Sequence, residues 1–366
     1  MSLLSAFTRT RIVLKKQLST SPSLLKMELR NVVKKLEILA PSSLGESWDN
    51  VGLLIEPSDK KIVNQIFLTN DLTEPVLEEA LQMKSDLIIS YHPPLFRPLK
   101  RLTSKGWKER IAVKCIENKL AVFSPHTSWD AVPGGINSWL LAPFGPGGSS
   151  SPVTQSRSKV FPGGLSHSVS VQGVTLSTHQ LSPLLAMPDI SLNLDTAALT
   201  ISCSEDKLAA VISCLPPNIL DQVKITAHVL PPLTDTGAGR VLTMDADLDI
   251  QTVVKLTKQH LEMSHLRLAL ANGASMSSPV RSIGVCAGSG GSVLAGLRAD
   301  MIITGEMSHH ECLDFVAAGV SVILADHSNT ERGYLKVAKE KIVSLLDNEH
   351  ISVDISSVDK DPLQIV

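Results

Sequence analysis

The chain repeats one pattern: a short, unbroken apolar run that stops at a cluster of polar side chains. "NQIFLTND" ends at Asn70 and Asp71, "SDLIISYHP" at Tyr91 and His92, and "KLAVFSPHTSWD" at His126 and Asp130. "ADMIITGEMSHHE" ends at Glu306, His309 and His310, and "VSVILADHSNTE" at Asp326, His327 and Glu331. Apolar runs without polar alternation belong to strands covered on both faces, and helical patterns between them, such as Trp107 to Glu117, predict β-α units and a sheet with parallel strands. The expected fold class is α/β, a sheet-based core with helices on both faces. In open α/β sheets the carboxyl ends of the strands share one rim, and ligands bind in the crevice outside it. Five clusters far apart in sequence are therefore expected to meet in space.

The rhythm is interrupted once. "PFGPGGSSSPVTQSRSKVFPGG" is rich in Pro, Gly and Ser and predicts a linker over 146–165. Strand-like "SHSVSVQGV" and "ALTISCS", helix-like "EDKLAAVISCL" and strand-like "QVKITAHVL" then predict a small inserted α+β module over 166–232, closed by a Pro-Pro-Leu-Thr-Asp turn signal. The β-α pattern resumes with a helix over "DIQTVVKLTKQHLE" and a strand over "SIGVCAGSGG". The core is thus expected in two halves, 27–145 and 233–366. A chain of 366 residues exceeds the size at which one core usually keeps growing, which suits a core with an insert.

Charge and cysteine usage exclude several classes. Lys plus Arg number 34 against 36 for Asp plus Glu, a formal net charge of -2, so no global field favours nucleic acid. No basic stripe interleaved with aromatics is present either. No apolar stretch approaches the ~18 residues of a membrane span. The five cysteines are scattered and never form C-x-x-C, which argues against a disulfide framework and a thiolate zinc site and for a reducing compartment, cytoplasmic or nuclear. Residues 1–26 carry Arg9, Arg11, Lys15, Lys16 and Lys26 with no acid, and Leu4, Phe7, Leu14 and Leu18 share a helical stripe. That segment reads equally as a mitochondrial transit peptide or as a flexible basic tail.

Imidazole nitrogens together with carboxylate oxygens suit Zn, Mn, Fe, Co or Ni better than a sulfur site does. His327 and Glu331, at i and i+4, share a face if a helix starts at once. Ser328-x-x-Glu331 is also a capping box, as is Ser308-x-x-Glu311, and that alternative accounts for the serine and glutamate but not for His327. In "SYHPPLF" two prolines fix the backbone just beyond His92, which favours a presented side chain over one satisfied by a nearby carbonyl. Asp130 reads as a ligand oriented by His126, or as a helix or turn cap. "AGSGGS" places Gly288, Ser289, Gly290 and Gly291 between a strand and a helix start, where they would cradle an anion or simply permit close backbone packing.

"SWDNVGLL" at 47–54, "SYHPP" at 90–94, "HTSWD" at 126–130, "TGEMSHHE" at 304–311 and "DHSNTERG" at 326–333 occur in a known order. The chain resembles the Ngg-one-interacting-factor-three-like family, most of all its animal branch, over about 27–145 and 233–366. The resemblance implies a dinuclear divalent-metal centre in an α/β fold and assembly into a toroidal homohexamer. By motif it implies His92, Asp130, His327 and Glu331 as metal ligands, Glu331 as the bridge, and His310 lining the same cavity in a proton-transferring role. Where the family has a His-His pair, this chain has Tyr91-His92, which weakens one of the two metal positions. Bacterial members are labelled GTP cyclohydrolase type 2, but two metals and a bridging water describe many hydrolases equally well. Two functions remain open: a hydrolase acting on a small anionic substrate, a phosphate ester or nucleotide-like molecule, and a regulatory scaffold with structural metals that binds a transcription-related protein partner.

Overall fold

The computed structural model describes residues 27–365 apart from 146, 175, 195–197 and 348–349; the basic segment 1–26 lies outside the described residues. A five-stranded sheet has the order Ser352–Ile355, Gln65–Thr69, Leu87–Ser90, Ala121–Ser124, Gly52–Ile55, with the first three pairings parallel and the last antiparallel. Its central strands read as unbroken apolar runs because both faces are covered. Ile66, Leu68, Leu87 and Ile89 pack toward the helices Leu29–Leu39 and Tyr334–Leu346, while Phe67, Ile88 and Val122 pack toward Glu74–Gln82 and Trp107–Glu117. Alternate residues of each strand thus serve opposite layers.

A six-stranded sheet follows the order Arg267–Ala269, Ser321–Leu324, Met301–Glu306, Pro279–Ser289, Pro232–Asp249, Ser149–Arg157. The Met301–Glu306 strand pairs in parallel with both of its neighbours, and the outer pairings are antiparallel. One apolar cluster joins the two sheets, running from Ile66 and Leu87 through Trp129, Tyr334 and Leu335 to Ile283 and Ile303. The helix expected over 249–262 forms at Ile250–His260, capped by Asp249, whose Oδ1 accepts from the Thr252 N–H at 2.7 Å.

Two expectations need correction here. Within 146–165, expected to be a linker, Ser149–Arg157 is a strand paired with Pro232–Asp249. It is a polar edge strand with no apolar run to betray it, and an edge position tolerates Pro152. Likewise the chain does not simply turn at Pro232 but enters an 18-residue strand. Between these two strands, residues 167–227 build a four-stranded antiparallel sheet in the order Lys224–Ala227, His167–Gln172, Ala198–Cys203, Ser191–Leu194. Helices Thr178–Leu185 and Leu208–Ser213 contribute Leu181, Leu184 and Val211 to this sheet's own apolar cluster with Val169, Val171, Leu199 and Ile201. No helix among the described residues is long and apolar enough to cross a membrane.

Candidate metal centre

The carboxyl ends of strands from both sheets face one cleft of about 690 Å3. His92 follows Leu87–Ser90, Asp130 sits in the short helix Thr127–Ala131 after Ala121–Ser124, and His327 follows Ser321–Leu324. Among the described residues, His92, His327 and Glu331 bring one ligand atom each within 4.8 Å of one another. His92 Nε2 lies 3.4 Å from Glu331 Oε2, and His327 Nε2 lies 3.3 Å from Glu331 Oε1. The far nitrogen of each ring is held by a carboxylate: His92 Nδ1 by Asp71 Oδ1 at 2.9 Å and His327 Nδ1 by Glu306 Oε1 at 2.8 Å. A carboxylate on the outer nitrogen fixes ring orientation and aims the other nitrogen inward, an arrangement found around ligating histidines.

The electrostatics of the cluster fit a cation. Glu331 is 2% exposed, and burial alone would raise its pKa; the hydrogen bonds and charges of His327 and His92 hold it instead at about 2. Burial alone would lower the His92 pKa, but Asp71 and Glu331 push it up to about 10. His327 is pushed up to about 9, chiefly by Glu331, against its own burial. Without an ion, two imidazolium protons therefore offset the carboxylates, and a divalent ion would supply the same charge in their place. Separations of 3.3 and 3.4 Å exceed the ~2.7–2.9 Å of a strong charge-assisted pair. They suit two donor atoms that share one ion at ~2.0–2.2 Å. Asn70, buried, donates from Nδ2 to Glu331 Oε2 at 3.1 Å, and its Oδ1 has no hydrogen-bond partner among the described residues.

Asp130 lines the same cleft but stands outside the three-residue group. Its Oδ1 accepts from the Tyr91 hydroxyl at 2.8 Å, and burial pushes its pKa up to about 7, with Glu331 adding to the rise. Tyr91 is itself buried, and burial together with the Asp130 charge holds its phenol well above the ordinary range, so it is a neutral donor. His126 does not touch Asp130 through a hydrogen bond. Its Nδ1 meets Asp49 Oδ1 at 2.7 Å, and its backbone is held at φ 33°, a strained conformation of the kind that clusters at functional sites.

Neither local alternative survives at residues 327–331. The chain makes a 3-10 turn at Ser328–Thr330, and the next helix begins only at Tyr334, so His327 and Glu331 meet across a tight turn rather than along a helix. Ser328 Oγ donates to Asp361 Oδ2, leaving the Glu331 carboxylate to the imidazoles. Gly288, at φ +62°, borders the cluster so closely that a Cβ there would lie 2.6 Å from Glu331 Oε1 and 2.8 Å from His327 Nε2. The N–H groups of Gly288 and Gly290 are engaged by Thr330 Oγ1 and Thr304 Oγ1, which accounts for the glycines by close approach rather than by an anion cradle. Ser289 lines the cleft, whereas Gly291 faces a separate recess of about 760 Å3 beside Arg298 and Asp314. That recess holds no histidine, and Glu311 within it is engaged in a helix cap. His310 is exposed at the start of the helix His309–Ala317, against the His309 ring, and does not line the cleft of its own chain.

Asn70, Asp71 and Glu306 stand out in the sequence only as strand-end polar groups, and nothing in it marks Trp48, Phe96 and Lys108 as cleft residues or Asp49 as the partner of His126. The motifs "SWDN" and "SYHPPLF" contain Trp48, Asp49 and Phe96, while Lys108 lies outside both.

The family model described as Duf34/NIF3 (NGG1p interacting factor 3) matches residues 27–362. NIF3-like protein 1 of Bos taurus is 42% identical over 352 residues, 93% of this chain and 93% of that protein, and the Homo sapiens protein of the same name is 41% identical with the same coverage. NGG1-interacting factor 3 of Saccharomyces cerevisiae is 28% identical across 94% of this chain and 99% of its own length. Among solved structures, a Bacillus cereus protein related to NIF3 has a TM-score of 0.64 at 19% identity, covering 93% of this chain and 99% of that one. A Staphylococcus aureus protein has a TM-score of 0.67 at 22% identity with the same coverage, and both likenesses concern the fold. The chain belongs to the Duf34/NIF3 (NGG1p interacting factor 3) family.

Proposed function

We propose that this protein binds a divalent metal ion and acts as a metal-dependent hydrolase on a phosphate ester or nucleotide-like substrate. The observation that carries this reading is the meeting of His92, His327 and Glu331 on an open cleft, each imidazole aimed by a carboxylate behind it. Two histidines and one carboxylate leave a coordination position open, as catalytic sites do, whereas structural sites are closed. The donors suit Zn, Mn, Fe, Co or Ni. A divalent ion, when bound, supplies Lewis acidity toward a phosphoryl oxygen and toward water.

The chain's own groups supply the rest. Asp130, with a pKa near neutrality, exchanges a proton at the oxygen that Tyr91 leaves free, and the Tyr91 hydroxyl holds the other. This gives Asp130 the proton-transfer role expected of His310, which lies outside the cleft of its own chain. Lys108, on the cleft wall, offers positive charge to an anionic group, while Trp48, 60% exposed, and Phe96 present aromatic faces at the mouth. A second ion, if bound, would be held by Asp130 beside Glu331, and Asp130 would then serve as a ligand in place of its proton-transfer role. Tyr91 makes this second position the weaker one. The homohexamer, carried from the resemblance, belongs to the same proposal.

The test is turnover of a panel of phosphate esters and nucleotides by metal-loaded protein, abolished by His327→Ala in a protein that still folds. Absence of turnover across the panel would favour the second reading, a regulatory scaffold with a structural metal and a transcription-related partner. That reading is supported by the name of the yeast relative, NGG1-interacting factor 3, and by the loss of the family's paired histidine at Tyr91.

A further inference from the structure

Next to the cluster, three chain segments are tied together. The first is the end of the Gln65–Thr69 strand, where the Asn70 N–H donates to Asp359 Oδ2 at 2.7 Å. The second is the turn after His327, where Arg332 directly follows Glu331. Arg332 Nη2 lies 3.3 Å from Asp359 Oδ1 and 3.5 Å from Asp71 Oδ2, and its Nη1 donates to Ser328 Oγ at 2.8 Å. The third is the segment beyond Ser352–Ile355, where Asp361 Oδ2 accepts from Ser328 Oγ. That segment is itself anchored: the Ser356 N–H donates to the Leu68 carbonyl at 2.8 Å, Ser356 Oγ donates to Glu79 Oε2 at 2.6 Å, and the Asp359 N–H donates to Ser356 Oγ at 3.1 Å.

We infer that Arg332, Asp359 and Asp361 are positioning residues for the metal centre, an ionic staple that holds the two sheets in register where their ligands must meet. The inference rests on the metal-binding reading above. Asp71 aims His92, yet its side chain is 36% exposed and sits on a loop. Its outer oxygen Oδ2 is faced by Asn70 Nδ2 at 3.3 Å and by Arg332 Nη2 at 3.5 Å. Asp359 fixes both of these partners, Arg332 through its side chain and Asn70 through its backbone, and the Asn70 side chain also reaches Glu331 Oε2 at 3.1 Å. His92, Asn70 and Asp71 follow strands of the five-stranded sheet, while His327 and Glu331 follow a strand of the six-stranded one. The staple therefore spans the joint between the halves of the site. The Asp359 side chain, only 3% exposed, faces Arg332, so removing either partner leaves the other without its ion pair.

The test uses the full chain and compares wild type with Arg332→Gln, Arg332→Lys and Asp359→Asn. Co2+ affinity is measured by competition with a chromophoric chelator, the Co2+ absorption spectrum reports ligand geometry, and thermal unfolding of the metal-free proteins is followed in parallel. Loss of a group that orients a ligand typically costs 10–100-fold in metal affinity. We expect a loss of ~10-fold or more in Arg332→Gln and Asp359→Asn with an altered Co2+ spectrum, and partial recovery in Arg332→Lys, which keeps the charge but not the fork. If Arg332→Gln does not fold, the near-isosteric Asp359→Asn decides. Wild-type affinity and spectrum in the variants, even with a lowered melting temperature, would overturn the staple alone. A wild type that binds no ion would overturn it together with the metal-binding reading.

Discussion

Residues 308–311, "SHHE", and 328–331, "SNTE", share the spacing Ser-x-x-Glu and follow neighbouring parallel strands. In the first, Ser308 Oγ accepts from the Glu311 N–H at 3.3 Å, Glu311 Oε2 accepts from the Ser308 N–H at 2.7 Å, and the helix starts at once. In the second, serine and glutamate turn away from each other, the helix waits until Tyr334, and the carboxylate is buried between two imidazoles. Solvent decides between these fates. A carboxylate in water finds a capping N–H sufficient, whereas a buried one carries a desolvation penalty of several kcal/mol that only charged partners or a cation can offset. Identical spacing therefore holds local chemistry at one strand end and long-range chemistry at the next.

The sharpest way to break that contrast is a matched pair of substitutions. Glu331→Gln keeps the shape of a capping side chain but removes the charge, so bound metal should fall below detection on elemental analysis. Glu311→Gln should leave metal content at the wild-type value. Equal metal in both variants would mean that residues 328–331 matter only for local structure.

The second prediction concerns pH. His92 and His327 are raised above their ordinary value of ~6.5, to about 10 and about 9. Their stabilising contribution to the metal-free protein is complete below pH ~6.5 and disappears as pH rises through 9 to 10. Glu331, depressed to about 2, contributes above pH ~4.5 and loses its contribution as pH falls toward 2. The metal-free protein should accordingly lose stability between pH 7 and 10. Metal uptake must displace imidazole protons, so apparent affinity should rise by at least ~10-fold per pH unit between 7 and 9. A pH-independent affinity in chelator competition would show that these histidines do not bind the ion.

The β-α rhythm and the convergence of the five strand ends were legible because buried parallel strands leave unbroken apolar runs and because loops at their carboxyl ends carry polar groups. Ser149–Arg157 was not legible, since an edge strand facing solvent needs no apolar residue. The pairing of His92 with Asp71 and of His327 with Glu306 was invisible for another reason. Each partner is 21 residues away, and only the sheet order makes them neighbours. His310, assigned to the site only through the resemblance, sits at the exposed start of a helix capped by Ser308, outside the cleft of its own chain. Arg332 lies inside the run "DHSNTERG", but its partner Asp359 comes from a segment without any motif, so the pairing had no signal in the sequence.

A smaller effect is expected at Tyr91. Tyr91→Phe removes the donor from Asp130 Oδ1 and leaves a buried carboxylate less satisfied, a loss of ~1–3 kcal/mol above pH 7. Asp130 is already raised to about 7, and the substitution raises it further. The cost should therefore shrink as pH falls and the carboxyl protonates in both proteins. Denaturant melts at pH 8 and pH 5 would check this, and an equal cost at both would exclude Asp130 as the source.

The smallest effect should come from the largest deletion. Arg157 and Pro232 are paired Cα partners on adjacent antiparallel strands, so removing 158–231 leaves two ends that a two-residue Asn-Gly turn can close as a hairpin. The removed segment keeps its own apolar cluster, including Val169, Leu199, Ile201 and Val211, and takes no buried residue from the cluster that joins the two large sheets. The cleft residues Thr154, Ala238 and Gly239 remain, because they belong to the strands that stay behind. Among the described residues, the hydrogen bond lost near the site runs from Lys159 Nζ to the carbonyl of the buried Gly45. The shortened protein should fold, bind metal with wild-type stoichiometry and melt cooperatively, all measurable in one preparation. Loss of metal along with the segment would show that it holds the cleft strands in place, and the separation of the site from the inserted sheet would fail.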